Sequence, residues 1–201
     1  MQDTIVIYKS KYGAAEQYAR WIAEDLQCPV LELDQVKKSD ILENRNIIFG
    51  GGVHAGGIEG IDKFLKLTKK QFKNWFYAAH DSNADFQLGL YKPTKNIVFF
   101  AVGISLRDQQ AREDLRYVNF DKKWLRQAEC FYLDGRYEPE KVKGGDKTVI
   151  SLTLKMIDSM GSQMTESQRL LKERIKNGCD LMDRSQIKPI VDRIRGDQPQ
   201  E

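Results

Sequence analysis

The chain has 201 residues, of which 41% are hydrophobic and 30% are charged, a balance typical of a globular protein with one sizeable core. Its 32 basic and 29 acidic residues are interspersed and leave a net charge of +3, so we expect no nucleic-acid partner. No apolar run reaches the roughly 18 residues that a membrane-spanning helix requires, so we expect no membrane insertion.

The cysteines and histidines indicate neither a disulfide framework nor a metal site. Cys28, Cys130 and Cys179 are far apart and form no Cys-x-x-Cys pair. The two histidines, His54 and His80, lack the spacing of metal ligands. The N-terminal residues show no basic flank before an apolar segment, so we expect no signal peptide and a cytoplasmic location.

Apolar segments with strand character alternate along the chain with amphipathic helical ones. Strands are predicted at 4–8, 29–33, 46–50, 96–102 and 129–133. Helices are predicted from 13 to about 26, from 61 to 72, around 107–118, over 148–160, and at a C-terminal stripe of Ile187, Ile190, Val191 and Ile194. This alternation predicts an α/β fold with a parallel sheet covered on both faces.

Two segments have less regular patterns. Residues 73–95 combine aromatics with a polar centre and show no clear period. The segment is too short to bury a core, so we interpret it as an irregular excursion from a single domain spanning 1–201. The start of 148–160 alternates like a strand, but its length and position favour a helix. A helical C-terminal extension is predicted at about 162–196.

Three loops follow predicted strands at the carboxyl edge of the sheet, where open α/β sheets bind their ligands. They are the first loop (9–15), the second loop (51–58) and the third loop (103–108). The first loop passes through Ser10 and Gly13 into a helix whose leading N–H groups and dipole favour a phosphate. A plain chain reversal explains the same residues equally well.

The second loop is rich in glycine, so its backbone can lie against a flat ring. His54 is the residue there that can stack or titrate near neutral pH. A flexible turn with an exposed histidine that has no chemical role is the alternative, although His54 would still lie near a ligand.

Five segments in order carry a resemblance to a known family: YKSKYGAAEQYARWIA, IIFGGGVHAGGI, FFAVGIS, FYLDGRYEPEKV and GCDLMDRSQIKPIVDRI. With them the chain resembles the flavodoxin-domain proteins, and within these the branch of flavodoxin-like, menaquinone-dependent protoporphyrinogen dehydrogenases. The resemblance implies a flavodoxin-like three-layer sandwich whose five-stranded parallel sheet has the order 2-1-3-4-5.

The resemblance also implies an FMN cofactor, with its phosphate in the first loop and its ring between the other two loops. The implied binding residues are Ser10, Lys11, Tyr12, Gly13, Ala14, Ala15, Gly52, Val53, His54, Ala55, Gly56, Gly103, Ile104 and Ser105. Tyr12 and Ala15 stand where the family usually has hydroxyl amino acids, so backbone amides would carry most of the binding. We assign no catalytic residue.

The expected function is that of an FMN-dependent redox protein. An oxidoreductase that exchanges electrons with a small molecule or a quinone is favoured. An electron carrier serving a redox partner protein and a flavin-free scaffold are the alternatives. Arg107, Lys92 and Arg136 are nominal partners for substrate carboxylates. Because the second loop lacks a carboxylate before Glu59, we expect little negative charge beside the ring.

A further motif has the spacing of a phosphatase nucleophile loop, Cys130 followed by five residues and Arg136. Three bulky apolar residues follow Cys130 and predict a strand, in which a buried thiol is inert. We therefore interpret the match as chance.

Overall fold

A computed structural model describes residues 3–80, 95–122 and 125–196. Its main sheet contains the parallel strands β1 (Thr4–Lys9), β2 (Val30–Glu32), β3 (Asn46–His54), β5 (Asn96–Gly103) and β6 (Glu129–Asp134). The short strand β4 (Gly57–Ile58) pairs antiparallel with the end of β3, and β7 (Arg136–Tyr137) pairs antiparallel with β8 (Cys179–Asp180).

The helices connect the strands and flank the sheet. They are α1 (Ala14–Leu26), α2 (Lys38–Glu43), α3 (Ile61–His80), α4 (Gln109–Asn119), α5 (Gly145–Ser159), α6 (Glu166–Asn177) and α7 (Lys188–Gly196). Among the described residues, no helix is both long enough and apolar enough to cross a bilayer.

The strand order is β2-β1-β3-β5-β6. It confirms the order 2-1-3-4-5, because β5 and β6 are the fourth and fifth parallel strands along the chain. Ile7 pairs with Phe49, Phe49 with Phe99, and Phe99 with Cys130, so one continuous row of side chains crosses the sheet.

Alternate residues of the central strands enter two separate cores. On one face, Phe49 stacks on Phe64 of α3 with ring centroids 4.3 Å apart, and Phe99 meets Phe120 edge-on at 5.1 Å. On the other face, Ile48 packs in a second core, whose further members include Val6, Phe100, Tyr18, Ile22 and Ile190. Burial on both faces explains the continuous apolar runs of these strands.

Two C-terminal helix predictions agree with the structure. Residues 148–160 lie in α5 and its C-cap rather than in a strand. The stripe of Ile187, Ile190, Val191 and Ile194 is buried in the core beneath α1. The stretch predicted as a helical extension, 162–196, contains α6 and α7, with β8 and a 3-10 turn at Arg184–Ile187 between them.

The structure corrects the prediction for 73–95. Helix α3 continues to His80, so the first part of the expected irregular excursion is helical. No glycine or proline interrupts 61–80, so nothing in the sequence forces the helix to end earlier. Residues 81–94, which include Lys92, lie outside the described residues.

We predict that Gly50→Ala destabilises the protein. A Cβ at Gly50 would lie 1.9 Å from Cζ of the buried Phe100 ring, so the ring would have to move within a packed core. Overpacking of this kind costs about 1–3 kcal/mol. Urea unfolding would measure the loss.

The matched control for Gly50→Ala is Gly145→Ala at the exposed start of α5, where an added Cβ meets no atom within 4 Å. Alanine is the better helix former by up to about 1 kcal/mol, so the free energy of unfolding should stay the same or rise. Equal stabilities of the two variants would contradict the close contact at Gly50.

Candidate functional site

The second loop of the prediction is a β-hairpin, not a loop. Gly51–His54 complete β3, and Val53 pairs with Ile58 while His54 pairs with Gly57. Ala55 and Gly56 form the two-residue turn with φ values of 48° and 79°. Two positive φ values are what a type I′ turn requires, and this turn matches the twist of the strands.

The first loop leaves the amino end of α1 open. Gly13 has a φ of 86° and is the N-cap of α1, with no side chain among the described residues capping the helix. The Gly13 N–H donates to Ser10 Oγ at 3.0 Å. Because the first N–H groups of a helix have no acceptor within the helix, those of Ala14 and Ala15 can serve an anion.

A carboxylate already lies against the first loop. The Lys11 backbone N–H donates to Glu59 Oε2 at 2.9 Å. The same oxygen lies 4.0 Å from His54 Nε2, so Glu59 bridges the first loop and the β3–β4 hairpin. Glu59 therefore turns back into the crevice between them and places a carboxylate on the first loop. The expectation of little negative charge beside the ring stays a prediction.

The amino end of α5 covers the first loop from another side. Asp146, the second residue of α5, accepts a hydrogen bond from the Tyr12 hydroxyl and lies 2.7 Å from Lys11 Nζ. The Lys11 ammonium, followed by the Tyr12 hydroxyl, holds the pKa of Asp146 below its ordinary value. The Tyr12 ring also faces the His54 ring, with centroids 5.6 Å apart and planes inclined by 46°.

Arg136 of β7 lies next to the same loop. Its Nη2 is 3.8 Å from the position that a Cβ on Gly13 would take. The guanidinium also forms ion pairs with Glu138, at 3.2 Å, and with Asp180, at 3.8 Å. Arg136 thus places a positive charge beside the first turn of α1.

The third loop packs against the hairpin and is held at both ends. A Cβ on Gly103 would lie 3.4 Å from Cβ of Val53, so the two segments approach closely. Asp108 caps α4 by accepting the Ala111 N–H at 2.8 Å, and it also accepts the Ser167 hydroxyl at 2.6 Å. The latter bond ties the loop to α6.

Arg107 is occupied by the chain itself. Its Nη2 lies 2.6 Å and its Nε 2.8 Å from Oδ2 of Asp134, which is 7% exposed at the end of β6. Gln186 Nε2 donates to the same oxygen at 3.0 Å. The structure therefore engages Arg107 in positioning the third loop, which weakens its nominal role as a partner for substrate carboxylates.

The phosphatase hypothesis is excluded by the position of Cys130. The cysteine lies in β6, and the residues after it continue the strand instead of curling around a phosphate. Burial raises the pKa of the Cys130 thiol to about 12, so the thiolate is disfavoured.

The structure places all three predicted segments along one edge of the sheet. The first loop meets the hairpin through Tyr12 and His54, and the hairpin meets the third loop at Val53 and Gly103. The part that these residues play in binding stays a prediction. Sequence reasoning missed Arg136 and Asp146 as neighbours of the first loop, because both come from strands and helices far along the chain.

Comparisons with known proteins give one family match and several similar solved structures. Residues 5–80 match the family model of the flavodoxin domain. A WrbA-like flavodoxin from Agrobacterium tumefaciens is similar at 17% identity, with 88% of this chain and 96% of that chain covered and a TM-score of 0.44. A flavodoxin from the domain Archaea is similar at 15% identity, with 87% and 99% covered and a TM-score of 0.39.

A larger protein is also similar, the rubredoxin:oxygen oxidoreductase from Desulfovibrio gigas. The identity is 14%, the TM-score 0.40, and 88% of this chain is covered. The chain spans about a third of the length of that oxidoreductase, 36%. No curated protein matches the chain. The fold is flavodoxin-like, and the family match does not distinguish the protoporphyrinogen dehydrogenase branch.

We predict that Lys11→Met raises the pKa of Asp146 toward its ordinary value, because the Lys11 ammonium is the main cause of the depression. The ion pair stabilises the charged carboxylate. Its contribution is complete above an ordinary aspartate pKa of about 3.9 and is lost as the pH falls through the lower folded-state pKa.

Carbon-13 NMR titration of the carboxyl groups would measure this shift. Asp183 is the internal control, since the Ser185 hydroxyl and N–H lower its pKa and Lys11 has no part in it. An Asp146 pKa that is the same in Lys11→Met and in the unmodified protein would rule out the ion pair.

Proposed function

We propose that this protein binds FMN and is a redox protein of the flavodoxin type. The first loop would hold the phosphate, and the β3–β4 hairpin and the third loop would flank the ring. The observation that carries the proposal is the uncapped start of α1 at the carboxyl edge of the sheet, with the Lys11 amide already bound to a carboxylate. Bound FMN would supply the electron-transfer chemistry.

The donors of the first loop fit a phosphate ester in spite of the missing hydroxyl amino acids. The backbone N–H groups of Lys11, Ala14 and Ala15 lie in the loop and at the start of the helix, where the dipole favours a negative charge. The Arg136 guanidinium, which is shared with Glu138 and Asp180, would have to give up part of these ion pairs to offset the second negative charge of the ester. Amides and a guanidinium would thus take the place of the serine or threonine hydroxyls that the family usually has at positions 12 and 15.

The segments around the expected ring position combine little bulk with aromatic surface. Gly52 and Gly103 contribute no side chains, so the backbone can approach a flat ring. Tyr12 and His54 supply the aromatic faces at this edge of the sheet. The third loop of this chain contains no aromatic residue, and we propose that these two residues from the first loop and the hairpin take that place.

Within this function, an oxidoreductase that exchanges electrons with a small-molecule donor or a quinone is our preferred role. A flavodoxin-type carrier that serves a protein partner is the second candidate. Turnover with NAD(P)H or a quinol in the absence of any partner protein would favour the oxidoreductase. The sequence resemblance supports the oxidoreductase, and no observation favours a porphyrinogen as its substrate.

The central prediction is that the purified protein binds FMN and binds riboflavin at least tenfold more weakly. Hydrogen bonds to a charged group contribute about 1.5–3 kcal/mol each, and about 1.4 kcal/mol corresponds to a factor of ten. Quenching of flavin fluorescence and the absorbance spectrum would measure both ligands. A protein that is purified without flavin absorbance, and that shows none after incubation with FMN and removal of the unbound FMN, would support the flavin-free scaffold instead.

Alanine substitutions at two glycines, one in the first loop and one far from it, test the role of the first loop in FMN binding. Gly13→Ala would force alanine into a left-handed conformation, φ 86°, and distort the first loop, so FMN affinity should fall at least tenfold. Gly161→Ala introduces similar strain at φ 50° in an exposed turn, where an added Cβ meets no atom within 4 Å. Both variants should lose stability, and only Gly13→Ala should lose FMN affinity.

A further inference from the structure

Two hydrogen bonds fix the backbone that leads into Glu59. The Glu59 N–H donates to the Gly52 carbonyl at 2.8 Å, and the Ile58 N–H donates to Asn119 Oδ1 at 2.8 Å. Asn119 also donates to the Gly56 carbonyl at 2.8 Å, which joins the hairpin to α4. The side chain of Glu59 therefore starts from a well-defined point at the mouth of the crevice.

The carboxylate of Glu59 takes a donor that the proposed phosphate would use. Its Oε2 accepts the Lys11 N–H, and the side chain is only 21% exposed. The Lys11 ammonium forms its ion pair with Asp146 and interacts with the Glu59 carboxylate only as a more distant charge. A hydrogen bond from an amide to an ionised acceptor is shorter and stronger than one between neutral groups.

On the basis of the proposed FMN site, we infer that Glu59 is an internal anion that competes with the flavin phosphate for the first loop. A phosphate that accepts the Lys11 N–H has to displace the carboxylate or to lie beside it. Displacement costs the existing hydrogen bond, and coexistence brings like charges together. Riboflavin has no phosphate, so Glu59 does not oppose it in this way.

Glu59 is thus a residue that sets the preference between phosphorylated and unphosphorylated flavin. The ionised side chain lowers the affinity for FMN and leaves the affinity for riboflavin unchanged. The expected signature is a change in the ratio of the two affinities, which a general change in stability or folding does not produce.

The test is Glu59→Gln, which keeps the size of the side chain and an oxygen acceptor but removes the charge. FMN should bind at least fivefold more tightly than it does to the unmodified protein, and riboflavin affinity should change less than twofold. The matched control is Glu43→Gln, the same charge change at an exposed residue that ends α2, before the start of β3 at the opposite edge of the sheet. It should alter neither affinity.

A second measurement examines the contact without flavin. In proton–nitrogen NMR spectra, the Lys11 amide should move upfield in Glu59→Gln, because the amide loses an ionised acceptor. Glu43→Gln should leave that signal in place. An unchanged Lys11 amide signal in Glu59→Gln would overturn the inference irrespective of any flavin measurement.

The outcomes separate this inference from the proposed function. If the unmodified protein binds FMN but Glu59→Gln binds it no more tightly than Glu43→Gln does, the competition is disproved and the FMN site stands. If Glu59→Gln strengthens FMN and riboflavin equally, the effect does not involve the phosphate and the inference is again wrong. If no variant binds either flavin, the proposed function fails and the inference fails with it.

Discussion

The position of β1 between β2 and β3 is the constraint on which the site depends. From β1 the chain crosses to β2 by α1, which packs on one face of the sheet, whereas α3 leads from β3 and β4 toward β5 along the other face. The segments after β1 and β3 therefore diverge, and a crevice opens between them at the carboxyl edge. The Lys11 N–H and the Glu59 carboxylate meet across this crevice.

Glycines decide how the crevice is built. Gly51 lies where a Cβ would come within 2.5 Å of the Glu59 carbonyl oxygen, and Gly60 where a Cβ would come within 2.7 Å of Leu33. These close approaches let the hairpin fold back on itself and direct Glu59 toward the first loop. Gly51 and the other glycines of the second loop suggested a loop in the sequence, because glycine disfavours strands when it is judged by local propensity alone.

The sheet could be predicted from the sequence because its signal is local. β1, β3 and β5 each contain an unbroken apolar run, at residues 5–8, 47–49 and 97–102, and their alternation with helices fixed the fold class. The charged neighbours of the first loop could not be predicted in this way. Asp146 and Arg136 reach Lys11 and Gly13 only through the packing of α5 and β7, and no spacing in the sequence encodes that contact.

The charged residues around the first loop distinguish its way of binding a phosphate from that of a loop lined with serine and threonine hydroxyls. Neutral hydroxyl groups donate hydrogen bonds to a phosphate but carry no net charge. The amides and the helix dipole then have to offset its negative charge. Here two carboxylates, Glu59 and Asp146, and two cations, Lys11 and Arg136, surround the amides. Glu59 accepts the Lys11 backbone N–H, and Asp146 forms an ion pair with the Lys11 ammonium. An arriving dianion would release both donors only by displacing both carboxylates, so the affinity of this loop would depend on exchange between anions more than on the number of its hydrogen bonds.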